Sequence, residues 1–125
     1  MYIFVYGSLK KGFSNHNLLQ SSEFICKTRT QEEFAMIDLN MFPGVIKGKK
    51  VSRIQGEVYE LDSNTLEQID MYEGEWYSRE SVELEAGFRA QIYFLIKYPR
   101  YSEGPMVISE GNWTEKLMQE SNNVR

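Results

Sequence analysis

Two places in this sequence carry side chains whose type and spacing suit acid–base chemistry or the binding of an acidic ligand. The first is Glu73. Around a helical wheel over residues 62–73, Leu66, Ile69 and Tyr72 form one apolar stripe. Glu73 stands four residues after Ile69 and seven after Leu66, so it projects from the middle of that stripe, whereas Glu67 and Gln68 point away from it. A carboxylate on an apolar face is desolvated, its pKa rises, and it becomes able to exchange a proton near neutral pH. The same periodicity also fits an ion pair with Arg79, or a helix-end side chain that swings into water.

The second place is the turn Tyr6-Gly7-Ser8-Leu9, which follows a β-rich run and frees backbone N–H groups to hold an anion such as a carboxylate. No Gly-x-x-x-x-Gly-Lys or Gly-x-Gly-x-x-Gly pattern accompanies it, so it is not a phosphate fingerprint. His16 is the single histidine, which removes Ser-His-Asp relays and multi-histidine metal sites from consideration. Cys26 is the single cysteine, which excludes a disulfide framework within the chain. In Phe24-Ile25-Cys26 it is expected to be a buried, inert thiol.

These residues need a frame to hold them. Residues 2–6 suggest a first strand, and Ser14 or Asn15 could cap a short helix carrying Leu18 and Leu19. Residues 23–41 show no clear period, and Phe42-Pro43-Gly44-Val45 suggests a turn into a short strand. From Ile54 the pattern alternates through Gly56 and Val58, with Gly56 marking a bulge or a close approach. Asp62-Ser63-Asn64 offers helix caps and Gly74 a stop. Strands follow over 77–84 and 88–96, joined by a Glu85-Ala86-Gly87 turn, with Phe88, Ala90, Ile92, Phe94 and Ile96 on one face. The chain turns polar from about residue 114. Many short strands and two short helices in 125 residues predict one α+β domain over 1–125, with a partly closed barrel as one arrangement of it.

Composition narrows the partners. The net charge is −4, and Lys47, Lys49 and Lys50 form the only basic cluster, which suits a solvated loop better than a nucleic-acid surface. No apolar run is long enough to span a bilayer. The N-terminal run lacks a basic leader, so a cytoplasmic protein is expected.

Three motifs in order carry a family likeness. Phe4-Val5-Tyr6-Gly7-Ser8-Leu9-Lys10-Lys11-Gly12, followed by Asn15-His16 and Leu19, resembles the opening of γ-glutamylcyclotransferase-like proteins, especially the γ-glutamylamine cyclotransferase branch. Residues 55–62 resemble the central strand of that family. Residues 66–74, with Tyr77 and Arg79, resemble its catalytic segment. Phe42-Pro43-Gly44 and Glu110-Gly111-Asn112-Trp113 match weaker signatures.

The resemblance implies a small mixed β-barrel with short flanking helices and a cavity at one mouth. It implies a small-molecule γ-glutamyl substrate, no metal or organic cofactor, and cyclisation to 5-oxoproline with release of an amine or amino acid. It places the proton-accepting carboxylate at Glu73 and main-chain binding of the γ-glutamyl head at Tyr6, Gly7, Ser8 and Leu9. Tyr77 and Arg79 are further substrate-side candidates that could instead simply pair across strands, and a late tyrosine, Tyr98 or Tyr101, joins them without the spacing choosing between the two. Two variants stay open: a member that binds a γ-glutamyl metabolite without chemistry, and one that removes a γ-glutamyl group from a carrier-bound intermediate.

Overall fold

The computed structural model describes residues 1–39, 42–97 and 106–114. Among them are seven strands and one α-helix. The strands are β1 (Tyr2–Val5), β2 (Glu23–Asp38), β3 (Pro43–Ile46), β4 (Ser52–Glu60), β5 (Tyr77–Glu83), β6 (Arg89–Leu95) and β7 (Met106–Ile108). The helix α1 (Ser63–Glu73) follows β4, and single 3₁₀ turns lie at His16–Leu19 and Gly74–Trp76.

The strands form one sheet in the order β1-β4-β2-β3-β6-β5, and a parallel pairing of Ile3 with Gln91 joins β1 back to β6. Five strands therefore close into a barrel, with β5 on the outer edge of β6 and β7 paired to the end of β2. The mixed barrel with short flanking helices is thus the observed fold.

Both faces of the barrel wall are covered. Inside lie Phe4, Met36, Val45, Ile54, Val58, Ile92 and Phe94, together with Trp113 from the segment after β7. Outside β1, β4 and β6, a second cluster joins Ile3, Val5 and Tyr93 to Leu19, Leu66 and Ile69. Burying Leu66 and Ile69 contributes roughly 1.5–3 kcal/mol each, which fixes α1 across the outer wall. The Asp62 carboxylate caps the helix by accepting the Thr65 N–H at 2.8 Å. Gly74 ends it at φ 72°, a left-handed value that glycine adopts without strain. Glu73, the last helical residue, is thereby held at a fixed place beside the barrel mouth.

Several expectations are corrected. Residues 23–38 form one long strand, whose alternation is scrambled by register shifts between Phe24 and Cys26 and between Arg29 and Glu33. The segment after Asn15 is a 3₁₀ turn, and Asn15 does not cap it. Its side chain donates to the Ser8 and Ser14 hydroxyls instead. Ile96 leaves the strand and is 55% exposed, because the N–H groups of Ile96 and Lys97 both turn to the carbonyl of Trp76. Cys26 is half-buried against the edge of the core, not fully enclosed. The basic cluster is exposed as expected, and Lys47 pairs with Glu80.

Gly56 marks a close approach and no bulge, since its pairing with Thr28 is regular. A Cβ there would lie 2.4 Å from the Val5 carbonyl oxygen and 2.6 Å from the Phe4 ring. Gly56→Ala must therefore push β1 off β4. The expected cost is about 2 kcal/mol, read as a lower denaturant midpoint, and an unchanged midpoint would refute the contact.

Candidate active site

Where β1 ends, the chain turns across the barrel mouth. Lys10 N–H bonds back to the Gly7 carbonyl, and Asn15 N–H to that of Ser8. The N–H groups of Gly7, Ser8 and Leu9 find no acceptor among the described residues. They border a cavity of about 220 Å³, open at one side, which Pro43, Tyr72, Glu73, Trp76, Tyr77 and Tyr93 complete. The Tyr6-to-Leu9 turn and Glu73, some 65 residues apart in sequence, thus face one space.

Glu73 is half-buried as a residue, yet its carboxyl end sits deep against the cavity wall. Burial foremost, and then the nearby charge of Asp70, raise its pKa from an ordinary 4.5 to about 7. No hydrogen bond or ion pair to Glu73 is found among the described residues. The tyrosines around it are all engaged elsewhere. Tyr6 Oη donates to the Tyr93 carbonyl at 2.7 Å and accepts from the Val45 N–H at 3.3 Å. Tyr77 Oη donates to the Pro43 carbonyl at 2.9 Å, and Tyr93 Oη to Asp70 Oδ1 at 2.6 Å. Tyr72 Oη shares a 3.1 Å bond with Ser8 Oγ, which also accepts from Asn15. Burial pushes the Tyr6, Tyr77 and Tyr93 hydroxyls well above their ordinary pKa, so these rings remain neutral walls. The arrangement puts on the wall of one cavity a carboxyl group able to exchange a proton near neutral pH and a turn whose three N–H groups have no acceptor among the described residues. Such a pair can accept a proton at one end of a small ligand while binding an anion at the other.

Arg79 stands elsewhere than expected. Its guanidinium grips Asp70 with two bonds, 2.9 and 3.2 Å, and donates to Gln91 at 3.1 Å, and it does not line the cavity. It therefore neither pairs with Glu73 nor faces a ligand there. The cause is the strand rise: Arg79 lies two residues beyond Tyr77, some 6–7 Å farther from the mouth. At that level it meets the carboxylate one helical turn before Glu73. Tyr77 does line the cavity as expected. Tyr98 and Tyr101 lie outside the described residues.

Sequence reasoning missed Tyr93, Trp76 and Asp70. Tyr93 stands out of phase with the inward face of β6, where alternation suggests solvent. The signal was Leu95, a second apolar residue in that outer phase, which marks a face covered by a helix. For Asp70 the signal was its place three residues before Glu73, adjacent on the helix surface.

The chain has relatives among known proteins. Residues 3–115 match the family described as "Gamma-glutamyl cyclotransferase, AIG2-like". A protein of Methanocaldococcus jannaschii named "Putative gamma-glutamylcyclotransferase" is 47% identical over 100 residues, which cover 74% of this chain and 82% of that one. "Gamma-glutamylaminecyclotransferase C" of Danio rerio is 40% identical over 100 residues, covering 67% of this chain and 62% of that one. Among solved structures, an uncharacterised protein from Pyrococcus horikoshii superposes with a TM-score of 0.78 at 27% identity, covering 100% of this chain and 99% of that one. On the match over residues 3–115 and the likeness to the Methanocaldococcus protein, the chain belongs to the gamma-glutamyl cyclotransferase, AIG2-like family.

Proposed function

We propose that the protein is a γ-glutamyl cyclotransferase that converts a γ-glutamyl amide into 5-oxoproline and the free amine or amino acid, with Glu73 as its proton-transfer residue. The observation that carries this reading is that Glu73 and the Gly7-Ser8-Leu9 turn line one cavity, the carboxyl and the three N–H groups having no partner among the described residues. Family membership and the names of the relatives support the same chemistry.

The cavity, about 220 Å³, is smaller than sites for drug-sized ligands, roughly 300–1,000 Å³. It suits a glutamyl head, with the remainder of the substrate leaving through the mouth. The turn's N–H groups hold the α-carboxylate. The α-ammonium lies toward Glu73, which takes one of its protons. The freed amine attacks the γ-carbonyl carbon of the same molecule, a new C–N bond closes the five-membered ring, and the tetrahedral oxyanion forms beside the same donors. Collapse breaks the original C–N bond as the leaving nitrogen recovers the proton from Glu73, and the surplus proton on the ring nitrogen passes by way of the same carboxylate to the released amine, which departs as an ammonium. No water is consumed. Because attack is intramolecular, holding the bent conformer removes much of the entropic barrier.

A base that titrates near 7 places the acid limb of kcat/KM near pH 7. Glu73→Gln is expected to lower turnover at least ~100-fold while ligand binding persists. Its effect on stability has a defined sign. The folded-state pKa lies above the unfolded value of 4.5, so ionisation of Glu73 disfavours the fold, and that penalty grows from pH 4.5 to about 7. The Gln variant is therefore expected to melt at or above the wild-type temperature at pH 8 and to lose that advantage at pH 4. Turnover, melting and calorimetric binding on one preparation check this, and a destabilised but active Gln variant would sink the assignment. Calorimetry also separates the enzyme from a sensor, which returns its ligand unchanged.

Gly7 gives an independent check. A Cβ there would meet Pro43 Cγ at 2.9 Å and Cδ at 3.1 Å, so either the turn or Pro43, both of which line the cavity, must shift. Gly7→Val is expected to abolish turnover in a folded protein, and a folded, fully active variant would make the turn purely structural.

A further inference from the structure

The Asp70 cluster behind the cavity has no part in the steps above, yet it is the most heavily bonded carboxylate near Glu73. Asp70 sits one turn earlier on α1, so the two carboxyl groups are neighbours on the helix surface. Two groups hold it in place. Arg79 from β5 binds both its oxygens, and Tyr93 from β6 donates to Oδ1 at 2.6 Å. Gln91 in turn orients the Arg79 guanidinium. Tyr93 is also a wall of the cavity, so one ring touches both the Asp70 cluster and the space where a ligand would lie. The groups facing Glu73 from the other packed elements are Tyr6 after β1, Tyr77 of β5 and Tyr93 of β6, with Tyr72 on its own helix, and all four are phenols. Asp70 is the charged side chain closest along the helix, and no lysine or arginine lines the cavity among the described residues.

We propose that Asp70 is a positioning residue for Glu73: clamped by Arg79 and Tyr93, it fixes a negative charge one helical turn from the Glu73 carboxyl and holds the Tyr93 wall in place. The clamp serves one need. Two adjacent carboxylates share a burden of charge, and the one with donors keeps its ionised form while the one without donors retains the proton. Burial would raise Asp70 as well, but the Tyr93 hydrogen bond and the Arg79 guanidinium outweigh burial and hold it below its ordinary value. The asymmetry between the two carboxyls thus comes from the deeper burial of Glu73 together with donors that reach Asp70 and not the next level of the helix.

The kinetic consequence rests on the assignment of Glu73 as the base, but the titration does not. With glutamate labelled at the side-chain carboxyl carbon, the Glu73 resonance is identified by its loss in Glu73→Gln and followed against pH. Asp70→Asn keeps the shape and an acceptor for Tyr93 while removing the charge. Its Glu73 midpoint is expected to fall by at least ~0.5 pH unit, with the acid limb of kcat/KM moving by the same amount. Arg79→Gln leaves Asp70 charged, so it is expected not to lower the midpoint, although both variants lose the same ion pair and stability with it. If Asp70→Asn alone does not fold, the double variant Asp70→Asn/Arg79→Gln, an amide pair in place of the ion pair, carries the same expectation of a lower midpoint. A midpoint unmoved by removal of the Asp70 charge, or lowered equally by Arg79→Gln, would overturn the proposal. Those results leave the role of Glu73 standing if Glu73→Gln is inactive, whereas an active Glu73→Gln overturns that role and leaves the titration result intact.

Discussion

The Tyr6 hydroxyl is the joint on which both barrel and cavity depend. One edge of β6 is taken along its whole length by β5, so β1 and β3 must share the other. Two strands meeting end to end along one edge leave a seam where the ladder is interrupted, and backbone groups there would be buried without partners. Tyr6 fills that seam, accepting from Val45 on β3 and donating to Tyr93 on β6. A single phenol thereby supplies what a missing ladder rung would have supplied. The chain then leaves β1 through a turn closed by the Lys10 N–H on the Gly7 carbonyl, and the N–H groups of Gly7, Ser8 and Leu9 have no acceptor among the described residues. The opening in the sheet and the mouth of the cavity are the same place.

The other tyrosines divide the polar work in a consistent way. Each hydroxyl binds a neighbouring backbone carbonyl, a serine or Asp70, and each ring faces the cavity. A phenol whose hydroxyl is bonded elsewhere offers mainly its carbon face to the cavity, so the surroundings of Glu73 are largely apolar although the lining is rich in tyrosine. A tyrosine donating to Glu73 would stabilise the carboxylate and lower its basicity. Commitment of the hydroxyls elsewhere is what leaves the carboxyl group poised.

How much of this was legible in the sequence follows from how local each determinant is. The helix bearing Glu73 was readable because its cap at Asp62, its stop at Gly74 and its apolar stripe lie within a dozen consecutive residues. The β5–β6 hairpin was readable for the same reason, from its turn at Glu85-Ala86-Gly87. Strand β2 was not, because register shifts break its alternation and only its partner strands restore it. The pairing of Arg79 with Glu73, one of the alternatives the sequence leaves open, gives way to a pair with Asp70 because wheel and strand periods fix which face a residue occupies, not how far along the other element it docks. The family motifs by themselves join the Tyr6-to-Leu9 turn and Glu73 in one site. They carry no sign that Tyr93, from a strand face that alternation assigns to solvent, forms the wall between Glu73 and Asp70.

The pairing of Ile3 with Gln91 has a consequence for how the chain reaches its working form. Residues near the start of the chain meet a strand from its last third, and the Tyr6–Tyr93 bond spans 87 residues of sequence. Such contacts return nothing until a long loop has closed, which makes them slow and places them late in folding. Hairpins and α1 can assemble beforehand from neighbouring sequence. The cavity cannot, because its floor, its turn and its Tyr93 wall come from opposite sides of the seam. Ligand competence therefore arrives with the last topological step, and a chain that has collapsed without closing its barrel has secondary structure but no site.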